Sequence, residues 1–171
     1  MTDLFGKITS EQNFVEKIAS KIPGFSGYFE KENRRAADRL LRQEVARRYE
    51  DQWGRVSQIQ ADLVSAGRID WLDDLEGAAL KLRIFIDQMK TASYGYSGFF
   101  DAVKVKEDDL ANLYQYDNAL LENVSKVASA VDNVQASLDA DGLKAAISNL
   151  RTVVAECNTT FDHRAEVLTR G

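Results

Sequence analysis

Leu110, Leu113, Asp117, Leu120, Val124, Val127, Val131, Val134 and Leu138 recur at alternating spacings of three and four. That spacing puts every member on one stripe of a helix, so this stretch reads as a long amphipathic helix with one polar position in its seam. Asp139-Ala140-Asp141-Gly142 is turn chemistry. Beyond it Leu143, Ile147, Leu150, Val154, Cys157, Phe161, Arg164 and Leu168 repeat the spacing, again with one polar member. Folding the second helix back on the first pairs Leu138 with Leu143, Val134 with Ile147, and so on inward to Leu113 with Leu168. In that register Asp117 meets Arg164. The two exceptions fall in one layer, as expected of a buried polar pair that fixes the register of a hairpin over 107–170.

The first half carries a similar design. From Tyr28 to about Ala66 there is no proline and one glycine, Gly54, and Leu41, Val45, Tyr49, Trp53, Val56, Ile59 and Leu63 share a face. A helix of that extent would be roughly 55–60 Å long. Ala66-Gly67-Arg68 is the expected turn, and the return helix carries Leu72, Leu75, Ala79, Leu82, Ile86 and Met89. The resulting hairpin over 28–93 sets Trp53 near Ala79 and Tyr49 near Leu82, large against small. Ahead of it, Thr9-Ser10-Glu11-Gln12 has the form of a capping box. A short helix over 9–22 is therefore expected, with Phe14, Val15, Ile18 and Ile22 on its apolar side and Pro23 as its stop.

Two long hairpins in sequence predict an all-α fold: an elongated up-down-up-down four-helix bundle with a short extra N-terminal helix, one domain over 1–171. Its connections hold a repeated motif. Gly24-Phe25-Ser26-Gly27-Tyr28-Phe29-Glu30 and Gly95-Tyr96-Ser97-Gly98-Phe99-Phe100-Asp101 both read glycine, aromatic, serine, glycine, aromatic, phenylalanine, acid. Glycine gives the chain freedom to turn at both places. The predicted trace brings both copies to the same end of the bundle.

Composition narrows the function. The 171 residues are 44% hydrophobic and 29% charged, with one proline, one cysteine and one histidine. That is the balance of a globular helical protein with a substantial core. No apolar run is long enough to span a bilayer and no apolar leader opens the chain, so a cytosolic location is expected. Up to residue 106 there are 17 Lys and Arg against 16 Asp and Glu; beyond it there are 5 against 11. Acids interleave with the Arg34, Arg35, Arg39, Arg42, Arg47 and Arg48 run, which disfavours nucleic acid as a partner.

Enzymatic chemistry finds little support. A di-iron bundle needs inward carboxylates and Glu-x-x-His elements, whereas His163 stands three residues after Thr160. No metal or cofactor is expected. Cys157 lies mid-seam, where a thiol behaves as a small hydrophobe, and His163 is about 240° away around the helix. Phosphate-binding glycine loops and a nucleophile elbow are both lacking. Two surfaces stand out instead. Phe25, Tyr28, Phe29, Tyr94, Tyr96, Phe99 and Phe100 form an aromatic cluster at the motif end, either a small sealing core or a patch for a partner. Arg35, Arg39 and Arg42 share a face, either solvated beside Glu30, Glu32 and Asp38 or offered to an acidic partner or membrane surface.

Ile22-Pro23-Gly24-Phe25-Ser26-Gly27-Tyr28 with the charged stretch running on to Arg42, and Ala92-Ser93-Tyr94-Gly95-Tyr96-Ser97-Gly98-Phe99-Phe100-Asp101-Ala102-Val103-Lys104-Val105, carry a resemblance. Over about residues 22–125 the chain resembles an uncharacterised family of bacterial and archaeal helical proteins. Such proteins can be encoded near band-7 (SPFH) membrane proteins, so the resemblance implies a membrane-associated partner role; no catalytic residue is assigned in that family, and the resemblance says nothing of chemistry. The expected function is a non-enzymatic scaffold or adaptor, binding a protein partner or itself through the motif end. The alternatives are a bundle holding a small molecule or metal between its helices, and a protein that binds a membrane surface peripherally.

Overall fold

The computed structural model describes residues 2–92 and 107–169. They form five α-helices: α1 (Thr2–Lys21), α2 (Arg34–Ser65), α3 (Leu72–Thr91), α4 (Glu107–Ala136) and α5 (Leu143–Thr169). One short 3-10 turn, Lys31–Asn33, precedes α2, and the described residues contain no strand. The second motif copy, with Tyr94, Tyr96, Phe99 and Phe100, lies outside the described residues.

Two helix starts differ from the sequence expectation. The helix expected over 9–22 begins at Thr2 instead, so the Thr9 box lies inside it. The reason is legible afterwards: Leu4, Ile8, Glu11, Val15, Ile18 and Ile22 continue one three-four stripe back to the start of the chain. The helix expected from Tyr28 begins at Arg34, because Gly24 and Gly27 take positive φ of 88° and 92° and the chain between them and Lys31 is not helical. Its 32 residues span about 48 Å rather than 55–60 Å.

The turn at the end of α2 is well formed. Gly67 at φ 71° lets its own N–H reach Val64 O at 3.0 Å while Arg68 N–H reaches Leu63 O at 2.9 Å. This double bond closes the helix by satisfying its last carbonyls. The chain returns along α2 as α3, with Gln60 Nε2 donating to Glu76 Oε2 at 2.6 Å near the turn and Lys90 paired with Glu50 further along. Two further contacts mark this pairing. Tyr49 meets Phe85 edge to face at 4.8 Å, and Trp53 lies under the Arg83 guanidinium at 5.1 Å. Phe85 is buried alongside the expected Leu82 because α3 packs on both α2 and α5 and so buries a broader face than one stripe. The Phe85 ring meets Phe161 edge to face at 5.7 Å, which carries the aromatic core across to α5.

α4 and α5 make the most extensive pairing, α2 also packs on α4, and α1 lies on α4. Asn123 Nδ2 donates to Thr160 Oγ1 at 3.4 Å, within two residues of the register expected for this hairpin. The core runs continuously through the helices, with Leu41, Val45, Leu75, Leu113, Leu120, Val131, Leu150 and Val154 at zero exposure.

Candidate functional site

Asp117 and Arg164 are both completely buried, and Arg164 Nε donates to Asp117 Oδ1 at 2.6 Å. Neither stands in an isolated pair. Arg164 Nη2 donates to Asp38 Oδ1 at 2.6 Å, and Asp38 Oδ2 accepts from Arg42 Nε at 2.9 Å. Arg42 Nη1 then reaches Met89 O at 2.6 Å, satisfying a carbonyl in the last turn of α3. On the other side, the Tyr28 hydroxyl donates to Asp117 Oδ2 at 2.6 Å and lies 3.4 Å from Arg164 Nη2. One ion layer therefore joins α2, α3, α4, α5 and the first glycine-aromatic motif.

The motif is threaded into this layer by its backbone as well. Tyr28 N–H donates to the Tyr114 hydroxyl at 2.7 Å, and Arg34 Nε donates to Tyr28 O at 2.7 Å. Gly27 is what permits the approach, since a Cβ there would sit 2.8 Å from the Tyr114 hydroxyl oxygen. The Tyr28 ring also lies 5.2 Å from that of Tyr114 and 5.5 Å from that of Phe25.

Charge is balanced inside. The buried acidic and basic side chains among those described are Glu11, Arg34, Asp38, Arg42, Asp117 and Arg164, three acids against three arginines. Burial pushes the Asp117 carboxyl above the ordinary carboxylate range, against the pull of Arg164 and of the Tyr28 hydrogen bond. The same desolvation raises the Tyr28 hydroxyl well above its usual value and the Tyr114 hydroxyl to about 12. Its hydrogen bonds run among the members of the layer and, through Arg42, to the Met89 carbonyl.

The residues singled out from sequence are distributed unevenly. Arg35 and Arg39 are exposed on the first turns of α2, but Arg42 is not part of that face; it is 7% exposed and committed to Asp38 and Met89. The cause is its position on the edge of the Leu41–Val45–Tyr49 stripe, which turns it inward. Phe25 and Tyr28 are buried at 4% and 0% and belong to the core, whereas Phe29 is 51% exposed. Its ring centroid is 6.0 Å from that of Tyr114.

Other chemistry is sparse. The Cys157 thiol is buried beside the Tyr49 hydroxyl, 3.5 Å away, and burial lifts it to about 11, so it stays protonated at neutral pH. His163 is exposed, its ring 6.1 Å from that of Tyr116. No cluster of His, Cys, Asp and Glu suited to a metal ion occurs among the described residues. A shallow groove of about 560 Å³ between α4 and α5, with Asn123, Lys126, Thr152 and Thr159 in its walls, is open to solvent. None of the described helices is long and apolar enough to cross a membrane. Comparison with protein-family models, curated proteins and solved structures finds no match to this chain.

Proposed function

We propose that this protein is a non-enzymatic adaptor, an elongated up-down-up-down bundle of α2 to α5 with α1 laid along α4. It would bind a protein partner, or a second copy of itself, through the end that holds the Gly24–Glu30 motif. One observation carries this reading. The ion layer clamps Tyr28 by both its backbone and its hydroxyl, and the next residue, Phe29, presents an apolar ring at 51% exposure. An aromatic anchor on a rigid mount loses little conformational freedom on binding, which is how small interfaces gain affinity. Arg35 and Arg39, exposed on the adjoining turns of α2, would add charge at the rim of such an interface. The resemblance to helical proteins that can be encoded near band-7 proteins favours a partner at the cytosolic face of a membrane.

Paired baits test the reading. Wild type and Phe29→Ala, immobilised at equal amounts in extract of the native host and washed identically, should differ in a discrete partner, and sedimentation of the two should reveal any self-association that Phe29 supports. Leu80→Ala serves as the control, since Leu80 is 53% exposed on α3, outside the motif. Identical captured proteins and identical sedimentation for all three would refute binding through Phe29.

A further inference from the structure

The N-terminal 33 residues differ from the rest in how they are held. α1 lies on α4, with Ile18 and Ile22 fully buried, and Arg48 of α2 donates to the carbonyl of Lys21 at the end of α1. The motif that follows is fastened by hydrogen bonds to groups more than 80 residues away: Tyr28 N–H to Tyr114, and the Tyr28 hydroxyl to Asp117. Seating this segment closes a charged layer off from water.

Such closure is costly. Each ion withdrawn from water carries a desolvation penalty that its partners offset only when geometry and hydrogen bonding are complete. The upward shift of the Asp117 carboxyl is that penalty seen from its proton. A second group adds to it. Asn118 lies one turn beyond Tyr114 on the same face of α4, and its Oδ1 is buried with no hydrogen-bond partner among the described residues. Lifting the N-terminal segment would hydrate Asp117, Tyr114 and Asn118 together. The apolar core farther along the hairpin would stay packed: Val131 and Val154 lie about 21 Å and about 15 Å along α4 and α5 from Asp117 and Arg164.

We infer that residues 2–33 form a strap that opens and closes over the ion layer as one unit, with Tyr28 as its clasp. The α2–α5 helices remain folded in the open state. Opening uncovers the Tyr114, Asp117 and Arg164 end of the layer and moves Phe29 away from its mount. The device stands whether or not Phe29 binds a partner. Local opening of this kind belongs to the low-stability end of a protein's conformational spectrum and is read by amide hydrogen exchange.

The test is native-state exchange on the full chain with increasing urea, by mass spectrometry or NMR. Amides from Phe14 to Tyr28 should exchange through a common opening, with one opening free energy and one shallow urea dependence, well ahead of Val131 and Val154. Tyr28→Phe removes a hydrogen bond to a charged group, so it should speed exchange in the strap by about tenfold or more while leaving Val131 and Val154 unchanged. Two results would overturn the inference. One is protection that rises steadily along α1 until Tyr28 matches the α5 core, which is end fraying. The other is equal acceleration of strap and core by Tyr28→Phe, which is a structural role alone.

Discussion

Arg164 Nη2 lies 2.6 Å from Asp38 Oδ1, and this contact ties the second hairpin to the first across 126 positions of sequence. Because the same guanidinium also serves Asp117, its loss strands two carboxylates, although Asp38 keeps Arg42. Arg164→Leu should therefore cost about 3–5 kcal/mol in urea melts. Asp117→Leu should cost less, since Arg164 retains Asp38. The double replacement should fall well below the sum of the two, with a coupling of at least about 1 kcal/mol. Strict additivity would mean that the two side chains do not depend on one another in solution.

The arginines of α2 should divide sharply. Arg35→Glu with Arg39→Glu changes exposed charges, each worth about 0.2–1 kcal/mol, and should scarcely move the thermal midpoint. Arg42→Glu sets a carboxylate against Asp38 and leaves the Met89 carbonyl without its donor, with an expected loss on the order of 3–5 kcal/mol. Similar melting for the two proteins would place Arg42 in solvent.

Glycine requirements should differ between the motif and the far turn. At Gly67 a Cβ meets open space, so Gly67→Ala carries the cost of positive φ alone, about 1 kcal/mol. At Gly27 the same strain is joined by a 2.8 Å clash with the Tyr114 hydroxyl, so Gly27→Ala should cost clearly more. Calorimetry of both variants decides it, and equal losses would mean that Tyr114 yields freely.

Alkaline pH should weaken the fold. Burial holds the Tyr28 and Tyr49 hydroxyls above their usual value, Tyr114 to about 12 and the Cys157 thiol to about 11. In the unfolded chain these groups ionise from about pH 8.5 for the thiol and about pH 10 for tyrosine. Above that range the folded state binds more protons than the unfolded one, so stability falls as pH rises. Tyr49→Phe loses the 2.8 Å hydrogen bond to Leu120 O and should be less stable at neutral pH. Its stability should nevertheless decline less steeply between about pH 9.5 and 11. Parallel curves would show that Tyr49 titrates as an exposed phenol does.

How much of this could be read from the sequence depends on which physical signal carried it. The Asp117–Arg164 contact was legible because an uninterrupted heptad fixes both partners, and the hairpin turn leaves one register open to them. Asp38 and Arg42 were legible in principle, since 38, 42, 45 and 49 extend the stripe of α2 at spacings of four, three and four. They resembled a solvated i,i+4 pair, and local spacing alone does not say on which side a helix is covered. Tyr28 was out of reach. It sits in a non-helical stretch shaped by two positive-φ glycines, where side-chain direction follows backbone dihedrals and no period applies. For the same reason Phe25 and Phe29, four residues apart in one motif, took opposite environments.

The packing of Trp53 beneath Arg83 has a practical consequence. The chain has two tryptophans, Trp53 on α2 and Trp71 just before α3, so its indole fluorescence reports on the first hairpin alone. Tyr28, Tyr114 and Tyr116 stand at the strap and on α4, and with Tyr49, Tyr94 and Tyr96 changed to phenylalanine the tyrosine absorbance change would follow the other half. A single melt seen by both chromophores would mean that the layer around Arg164 passes unfolding from one hairpin to the other. Separate melts would leave two hairpins that share a core and lose their order independently.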